Sequence, residues 1–226
     1  MGSIANNLQE VRRRLTSACN SVGRGVEDVT LLAVSKTFGG EQVREAFAAG
    51  QRRFGENYVQ EALDKIEALA DLRSQIEWHL IGPLQSNKTR VVAEHFDWVQ
   101  SVDRLKVAQR LSEQRPPALA PLQLCLQVNI SGEASKSGVA PTEVPALAAQ
   151  VAALPRLRLR GLMAIPEPGP AAGAAHAALA ALLAEVNTHS SLQLDTLSMG
   201  MSADLEAAVA AGATMVRVGT AIFGAR

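Results

Sequence analysis

LQLCLQVNI, residues 122–130, is the clearest β-strand signal in the chain, an apolar-rich run that follows a proline-containing loop. Helical spacing of apolar residues follows over residues 142–154, and a second strand-like run, LRLRGLMAI, covers residues 157–165. A strand, a helix and a strand in succession predict two parallel strands of one sheet.

The same alternation of strand and helix extends in both directions from this unit. Eight strands separated by helices predict a single (β/α)8 TIM barrel over residues 1–226, with an extra N-terminal helix over residues 4–22. An open doubly wound sheet is the alternative, but its first strand usually runs into a glycine-rich turn, and here that strand runs into Ser35-Lys36-Thr37-Phe38. The predicted strands cover residues 29–35, 52–54, 77–81, 98–102, 122–130, 157–165, 194–198 and 214–218, and the helices after the first seven cover residues 41–49, 58–70, 88–95, 104–114, 142–154, 171–187 and 203–211.

Composition excludes several classes of protein. The 226 residues carry 22 Lys+Arg and 22 Asp+Glu, whereas a nucleic-acid-binding protein would normally show a basic excess. Aromatic residues make up 4%, too few for platforms that stack single-stranded bases. There is no run of about 18 apolar residues and no targeting segment, so we expect a cytoplasmic protein that contacts neither nucleic acid nor membrane. Cys19 and Cys125 are the two cysteines and are expected to be free thiols in a reducing compartment; no cluster has metal-ligand spacing, so no metal is expected.

Lys36 directly follows the first predicted strand. Active sites of barrels lie at the C-terminal ends of the strands, so this lysine would stand at the rim of a largely apolar barrel. Desolvation there favours the neutral amine, which can form a Schiff base with a carbonyl compound. The alternative is a surface lysine whose side chain extends from a strand end into water.

Glycine and hydroxyl residues follow the seventh and eighth predicted strands. Ser198 is followed by Gly200 and Ser202, with Ser202 at an apparent helix N-cap, and Arg217 is followed by Gly219-Thr220. Barrels frequently bind phosphate with these two loops, although an ordinary capped turn would explain the first of them. A phosphate group at one end and a lysine at the other fit pyridoxal 5′-phosphate.

Seven long motifs carry a close resemblance to the pyridoxal phosphate homeostasis protein family. The resemblance runs from one end of the chain to the other and departs from the family pattern at Gly39-Gly40, where a proline is common. The motifs are AVSKT (33–37), FGENYVQE (54–61), EWHLIGPLQSNK (77–88), SKSG (135–138), RGLMAIP (160–166), LSMGMSAD (197–204) and MVRVGTAIFGAR (215–226).

The resemblance implies a single-domain barrel related to the N-terminal domain of alanine racemase. It implies that the cofactor is held as an aldimine on Lys36 and that the family buffers or delivers it, influencing amino- and keto-acid balance without an established reaction. Apo-enzymes that need the cofactor are the implied receivers, and a monomer is expected. The implied cofactor contacts are Ser198, Ser202, Gly219 and Thr220 to the phosphate, Arg217 to the pyridine nitrogen, Met163 packed on the ring, and Asn57 from the FGEN loop.

Two alternatives to a cofactor carrier stay open from the residues themselves. One is a racemase-like enzyme, but Arg217 only donates hydrogen bonds and would leave the pyridine nitrogen unprotonated, which weakens the electron sink. The other is a barrel that binds a different phosphorylated carbonyl compound. No catalytic residue is therefore assigned. Lys136 is a candidate secondary site, His79 a pocket or packing residue, and His176 is expected on the surface.

Overall fold

Eight parallel strands form a closed barrel in the computed structural model, which describes residues 3–132, 137–167, 169 and 171–224. Each strand pairs with the next along the chain, and the eighth pairs with the first, so the (β/α)8 barrel is confirmed and the open sheet is excluded. The strands are β1 (Thr30–Val34), β2 (Arg53–Glu56), β3 (Glu77–Leu80), β4 (Trp98–Val102), β5 (Leu122–Gln127), β6 (Leu157–Met163), β7 (Thr196–Ser198) and β8 (Met215–Val218).

Helices surround the barrel. All eight predicted helices are present, and within the described residues a short ninth α-helix follows β8, where four residues are too few to show helical periodicity. Another difference lies before α8, which begins at Leu205 with Asp204 as its N-cap, so the N-cap prediction for Ser202 is wrong. The helices are α1 (Ile4–Ser21), α2 (Gly40–Ala48), α3 (Val59–Ala68), α4 (Thr89–His95), α5 (Leu105–Gln114), α6 (Val144–Ala152), α7 (Ala172–His189), α8 (Leu205–Ala210) and α9 (Thr220–Phe223).

The extra N-terminal helix completes the outer ring. Ser3 caps α1 by accepting a hydrogen bond from the Asn6 N–H at 3.2 Å. Its buried stripe includes Leu8, Val11 and Leu15, and the helix packs against α8, α9 and α2. Because α9 is only four residues long, α1 covers the apolar surface that a longer helix after β8 would cover.

The barrel interior differs from its outer layer in polarity. Outward-facing strand residues join one apolar core with the helices, whereas Leu32 and Val34 of β1 contact the inner residues Ile81 and Met215. Four further inner residues are polar and fully or almost fully buried: His79, Gln100, Ser198 and Arg217. Barrel interiors are normally filled with branched apolar side chains, so this polar interior indicates a functional requirement.

Both cysteine thiols are buried and free, so native protein is expected to resist thiol reagents. Burial raises the pKa of Cys19, and it raises the pKa of Cys125 inside the barrel to about 12, which suppresses the reactive thiolate. We expect neither thiol to react with an aromatic disulfide reagent on the time scale of native mixing, and both to react after denaturation. Rapid labelling of Cys125 in folded protein would show that the barrel opens far more often than this packing implies.

Among the described residues, no helix is both long and apolar enough to cross a membrane. Within the same residues, no group of three or more His, Cys, Asp or Glu side chains could hold a metal ion.

Candidate functional site

Lys36 lies at the mouth of the barrel in a tight turn. It follows the buried Ser35 and is itself exposed. The Phe38 N–H donates to the Ser35 carbonyl at 3.1 Å, which closes the turn around Lys36 and Thr37. Thr37 has a φ of +70°, a left-handed conformation that costs a non-glycine residue roughly 1–2 kcal/mol. The turn after Lys36 is therefore held in place by its surroundings rather than by its own preference.

Three side chains from β2 and α3 form hydrogen bonds with the residues on either side of Lys36 or with each other. The Ser35 hydroxyl donates to Glu56 Oε1 at 2.6 Å, and Lys65 Nζ donates to both the Ser35 carbonyl and Glu56 Oε1 at 2.7 Å. The Thr37 N–H donates to Glu61 Oε2 at 3.0 Å. Burial raises the pKa of Glu56 even though Lys65 opposes that shift. We call Glu56, Glu61 and Lys65 the lysine-loop clamp.

Sequence reasoning missed this clamp. Glu61 and Lys65 lie four residues apart on α3 and therefore share one face of the helix. This spacing was the feature of the sequence that could have pointed to the pair. That spacing is common on solvated helices, and only the fold reveals that the face packs against the end of β1.

Arg217 is buried inside the barrel, and none of the described residues places a carboxylate on either of its terminal nitrogens. Its Nη1 donates to Ser198 Oγ and its Nη2 to the Ala164 carbonyl, both at 2.8 Å. Burial lowers the pKa of Arg217 to about 10, so the guanidinium stays charged at neutral pH. A buried cation held by neutral oxygens favours an electron-rich or anionic group beside it.

A hydrogen-bond chain crosses the barrel interior from Arg217. The Ser198 hydroxyl donates to Gln100 Oε1 at 2.6 Å, and Gln100 Nε2 lies 2.8 Å from His79 Nδ1. His79 Nε2 lies 2.8 Å from Glu77 Oε1. Glu77 is the first residue of β3, at the end of the strand away from the barrel mouth. Burial lowers the pKa of His79, which favours the neutral ring that accepts at Nδ1 and donates at Nε2. Every bond then donates in one direction, from Arg217 to Glu77.

In this series of hydrogen bonds the Ser198 hydroxyl takes part twice, once as donor and once as acceptor. Ser198 has no exposed surface. A contact between Ser198 and phosphate stays a prediction, and it requires the bond to Gln100 to be exchanged. His79 lies in the interior chain rather than at the mouth. Met163 is also fully buried, in a cluster with Trp98 and Cys125, and its contact with a ring stays a prediction.

Asn57 follows β2 and lines a cavity of about 260 Å³ at the mouth, together with residues after β3, β5 and β6. Its Oδ1 is buried and has no hydrogen-bond partner among the residues that the structure describes, an arrangement that costs free energy unless a ligand supplies a donor. Gly82 permits this placement, because a Cβ there would lie 2.1 Å from the Asn57 carbonyl oxygen.

The loop between β7 and α8 is fixed by side chains from outside it. Arg14 Nη1 donates to the Ser202 carbonyl at 2.6 Å, and the Met201 N–H donates to Asp204 Oδ1 at 2.7 Å. His176 Nε2 lies 2.8 Å from Asp204 Oδ2. Burial is the largest single effect on Asp204 and raises its pKa, but the hydrogen bonds from His176 and the Met201 N–H, with smaller effects, together outweigh it and leave that pKa below its usual value. His176 is fully buried, so the prediction that it lies on the surface is wrong: its ring anchors this loop.

Gly219 and Thr220 complete the mouth beside Lys36. Strand β8 pairs with β1, and a Cβ on Gly219 would lie 3.1 Å from the Val34 carbonyl oxygen. Thr220 is exposed as the first residue of α9. The fold thus brings the ends of β1, β7 and β8 to one face of the barrel, as predicted, while Lys136 lies outside the described residues.

Comparison with known proteins agrees with this architecture. Residues 2–226 match the family model described as alanine racemase, N-terminal domain. The chain is 63% identical over 226 residues to the pyridoxal phosphate homeostasis protein of Pseudomonas aeruginosa, covering all of this chain and 97% of that one. It is 55% identical to the protein of the same name from Escherichia coli K12, covering all of this chain and 98% of that one. The chain belongs to the pyridoxal phosphate homeostasis protein family.

Solved structures extend the comparison. PipY of Synechococcus elongatus PCC7942, solved without pyridoxal phosphate, has 42% identity and a TM-score of 0.86, covering 98% of this chain and 100% of that one. The form with pyridoxal phosphate bound has 41% identity and a TM-score of 0.85, with the same coverage. Alanine racemase from Corynebacterium glutamicum has 19% identity and a TM-score of 0.74, covering 99% of this chain and 61% of that one. That last likeness shows the fold alone.

Proposed function

We propose that this protein binds pyridoxal 5′-phosphate at the barrel mouth and takes part in its intracellular homeostasis, by buffering and delivering the cofactor and thereby affecting amino- and keto-acid balance. The observation that carries the proposal is the convergence on one face of the exposed Lys36, the buried cation Arg217 and the glycine-containing loops after β7 and β8. The pyridoxal phosphate bound to PipY supports it.

The residues present fit this cofactor. Arg217 offers a charged donor to a ring nitrogen, and Oδ1 of Asn57, unpartnered within the described part of the chain, offers an acceptor at the mouth. Gly219 leaves its backbone free of a side chain close to Val34, and Thr220 adds an exposed hydroxyl-bearing residue beside it. Ser202, Ser198 and Met163 complete the proposed set.

Pyridoxal phosphate supplies an aldehyde, which condenses with a primary amine and releases water, and an aromatic ring that withdraws electrons. Lys36 contributes the amine. Arg217, which is protonated at neutral pH, would donate to the ring nitrogen of the bound cofactor and would leave that nitrogen without a proton. The glycine-containing loops offer backbone N–H groups to the phosphate.

This assignment of Arg217 favours a carrier over a catalyst. An unprotonated ring nitrogen is a weak electron sink, because electron withdrawal needs positive charge on the ring. Tyr58, the chain's one tyrosine, is exposed on the helix-entry loop after β2 rather than buried opposite Lys36. We therefore propose no robust reaction; measurable exchange of an amino acid's α-proton would favour the racemase-like alternative.

Lys36→Ala tests the proposed function. Wild-type protein incubated with pyridoxal phosphate is expected to show a visible absorption band that borohydride bleaches, with the added mass on Lys36. Lys36→Ala should lose the band, and Lys106→Ala, which removes an exposed lysine of α5, should keep it. Absence of the band in wild type would reassign the site to another phosphorylated carbonyl compound. A band in Lys36→Ala would move the anchor to another lysine, with Lys136 tested first.

We further propose that the protein works as a cytoplasmic monomer and passes the cofactor to apo-enzymes that require it. Reactivation of such an apo-enzyme faster than by free cofactor at the same concentration would support direct delivery.

A further inference from the structure

We propose that Glu61 and Lys65 of α3 are positioning residues for Lys36, holding the peptide groups on both sides of it. The inference rests on the proposed role of Lys36 as the cofactor's anchor. Neither residue needs to touch the cofactor, because each acts on the backbone that carries the lysine.

Buried hydrogen bonds hold the peptide group that precedes Lys36. The Ser35 carbonyl accepts from Lys65 Nζ at 2.7 Å, and the Ser35 hydroxyl donates to Glu56 at 2.6 Å. All three residues are buried, so no water competes for these bonds and the end of β1 is fixed.

A hydrogen bond to Glu61 holds the peptide group that follows Lys36. Thr37 occupies a left-handed conformation that threonine adopts reluctantly, and its N–H donates to Glu61 Oε2 at 3.0 Å. A bond to a carboxylate is stronger than one to a neutral oxygen, so Glu61 is suited to hold a strained residue.

The contacts before and after Lys36 both come from one helix, α3. Glu61 and Lys65 are one helical turn apart on the same face of α3, so one rigid element fixes both flanks of Lys36. An exposed lysine side chain has many rotamers, and fixing its backbone confines its amine to the mouth. The clamp therefore lowers the entropic cost of bringing the amine to a ligand.

Three variants test this inference: Glu61→Ala removes the acceptor, Glu61→Gln keeps an acceptor oxygen at the same reach, and Glu67→Ala truncates an exposed glutamate of the same helix. Hydrogen exchange of the peptide containing residues 35–38 is measured without cofactor. Glu61→Ala should speed that exchange about tenfold, as expected for losing one hydrogen bond to a charged acceptor. It should weaken pyridoxal phosphate binding by a similar factor, whereas Glu61→Gln and Glu67→Ala should stay within about threefold of wild type.

The outcomes separate this inference from the function it rests on. If wild type forms no adduct that borohydride traps, the proposed function fails, and exchange at residues 35–38 still decides whether Glu61 holds the turn. Unchanged exchange in Glu61→Ala overturns the inference. So does faster exchange with unchanged cofactor affinity, and so does faster exchange across the whole chain, which would mark a general structural role.

Discussion

Gly161→Ala is expected to destabilise the barrel by about 3 kcal/mol or more, because the new methyl group meets backbone rather than a movable side chain. Gly161 lies within β6, opposite Thr196 of β7. A Cβ there would lie 1.8 Å from the Thr196 carbonyl oxygen and 2.6 Å from its carbon. No rotamer relieves such a contact, so the two strands must move apart.

Gly173→Ala is the matched control for this substitution. It also adds one methyl group, but on α7, where the described residues place no heavy atom within 4 Å of the new Cβ apart from the neighbouring backbone of the helix itself. Alanine favours a helix over glycine, so this variant should match or slightly exceed wild-type stability. Urea denaturation followed by circular dichroism measures both variants. A Gly161→Ala protein within about 1 kcal/mol of wild type would mean that β6 and β7 separate far more easily than a close-packed barrel allows.

The predicted effect reaches the site because the clash lies two residues from Ser198 along β7. Widening the gap between β6 and β7 moves the hydroxyl that binds Arg217 and the Ala164 carbonyl that binds the same guanidinium. Stability and cofactor affinity should therefore fall together in Gly161→Ala.

The fold could be predicted because its information is local. Each buried parallel strand is a short apolar run, and each helix has an apolar stripe, so both patterns are visible within a few residues. Strand β2 shows the limit: the prediction stopped at residue 54, whereas the strand runs to Glu56. Glycine and glutamate disfavour strands, and Glu56 is accommodated because Lys65 reaches it from α3.

The candidate site could be predicted only in part. Lys36, Arg217 and Gly219 stand at strand ends, where the barrel rule directs attention, and the family motifs added Asn57 and Met163. The interior chain could not be predicted, because Gln100 and Ser198 meet across the barrel from strands that are not neighbours. A polar residue within a strand looks like a solvated position until the closed barrel makes that position an interior one.

Lys65→Met is expected to lower the free energy of unfolding by about 3–5 kcal/mol at neutral pH, because it breaks a buried ion pair from one side. The side chains of Lys65 and Glu56 are 6% and 0% exposed, and Glu56 Oε2 already lacks a hydrogen-bond partner in the described ranges of the chain. Without the ammonium group, the Ser35 hydroxyl is the one hydrogen-bond donor that the described residues leave to the carboxylate.

The double variant Glu56→Gln/Lys65→Met distinguishes the cost of an unpaired buried carboxylate from the cost of losing the lysine side chain itself. It removes both charges, and the glutamine oxygen still accepts from the Ser35 hydroxyl. Replacing a buried pair with neutral groups is often close to neutral in stability, so most of the loss should be recovered. If the double variant is as unstable as Lys65→Met, the cost lies in the lost bond from Lys65 to the Ser35 carbonyl rather than in the uncompensated charge.

The pH dependence of stability is a second, independent test of whether the loss in Lys65→Met comes from the uncompensated charge of Glu56. Burial raises the pKa of Glu56 above its usual value of 4.5, and losing Lys65 should raise it further. A carboxyl group whose pKa is higher in the folded state stabilises that state as pH falls through the folded pKa, because the folded state then binds the extra proton. The stability difference between wild type and Lys65→Met should therefore shrink as pH is lowered from 7 toward 4.5, and the double variant should show no such change. A difference that stays constant with pH would place the origin of the loss in packing, and the lysine-loop clamp would then act through the shape of α3 rather than through its charge.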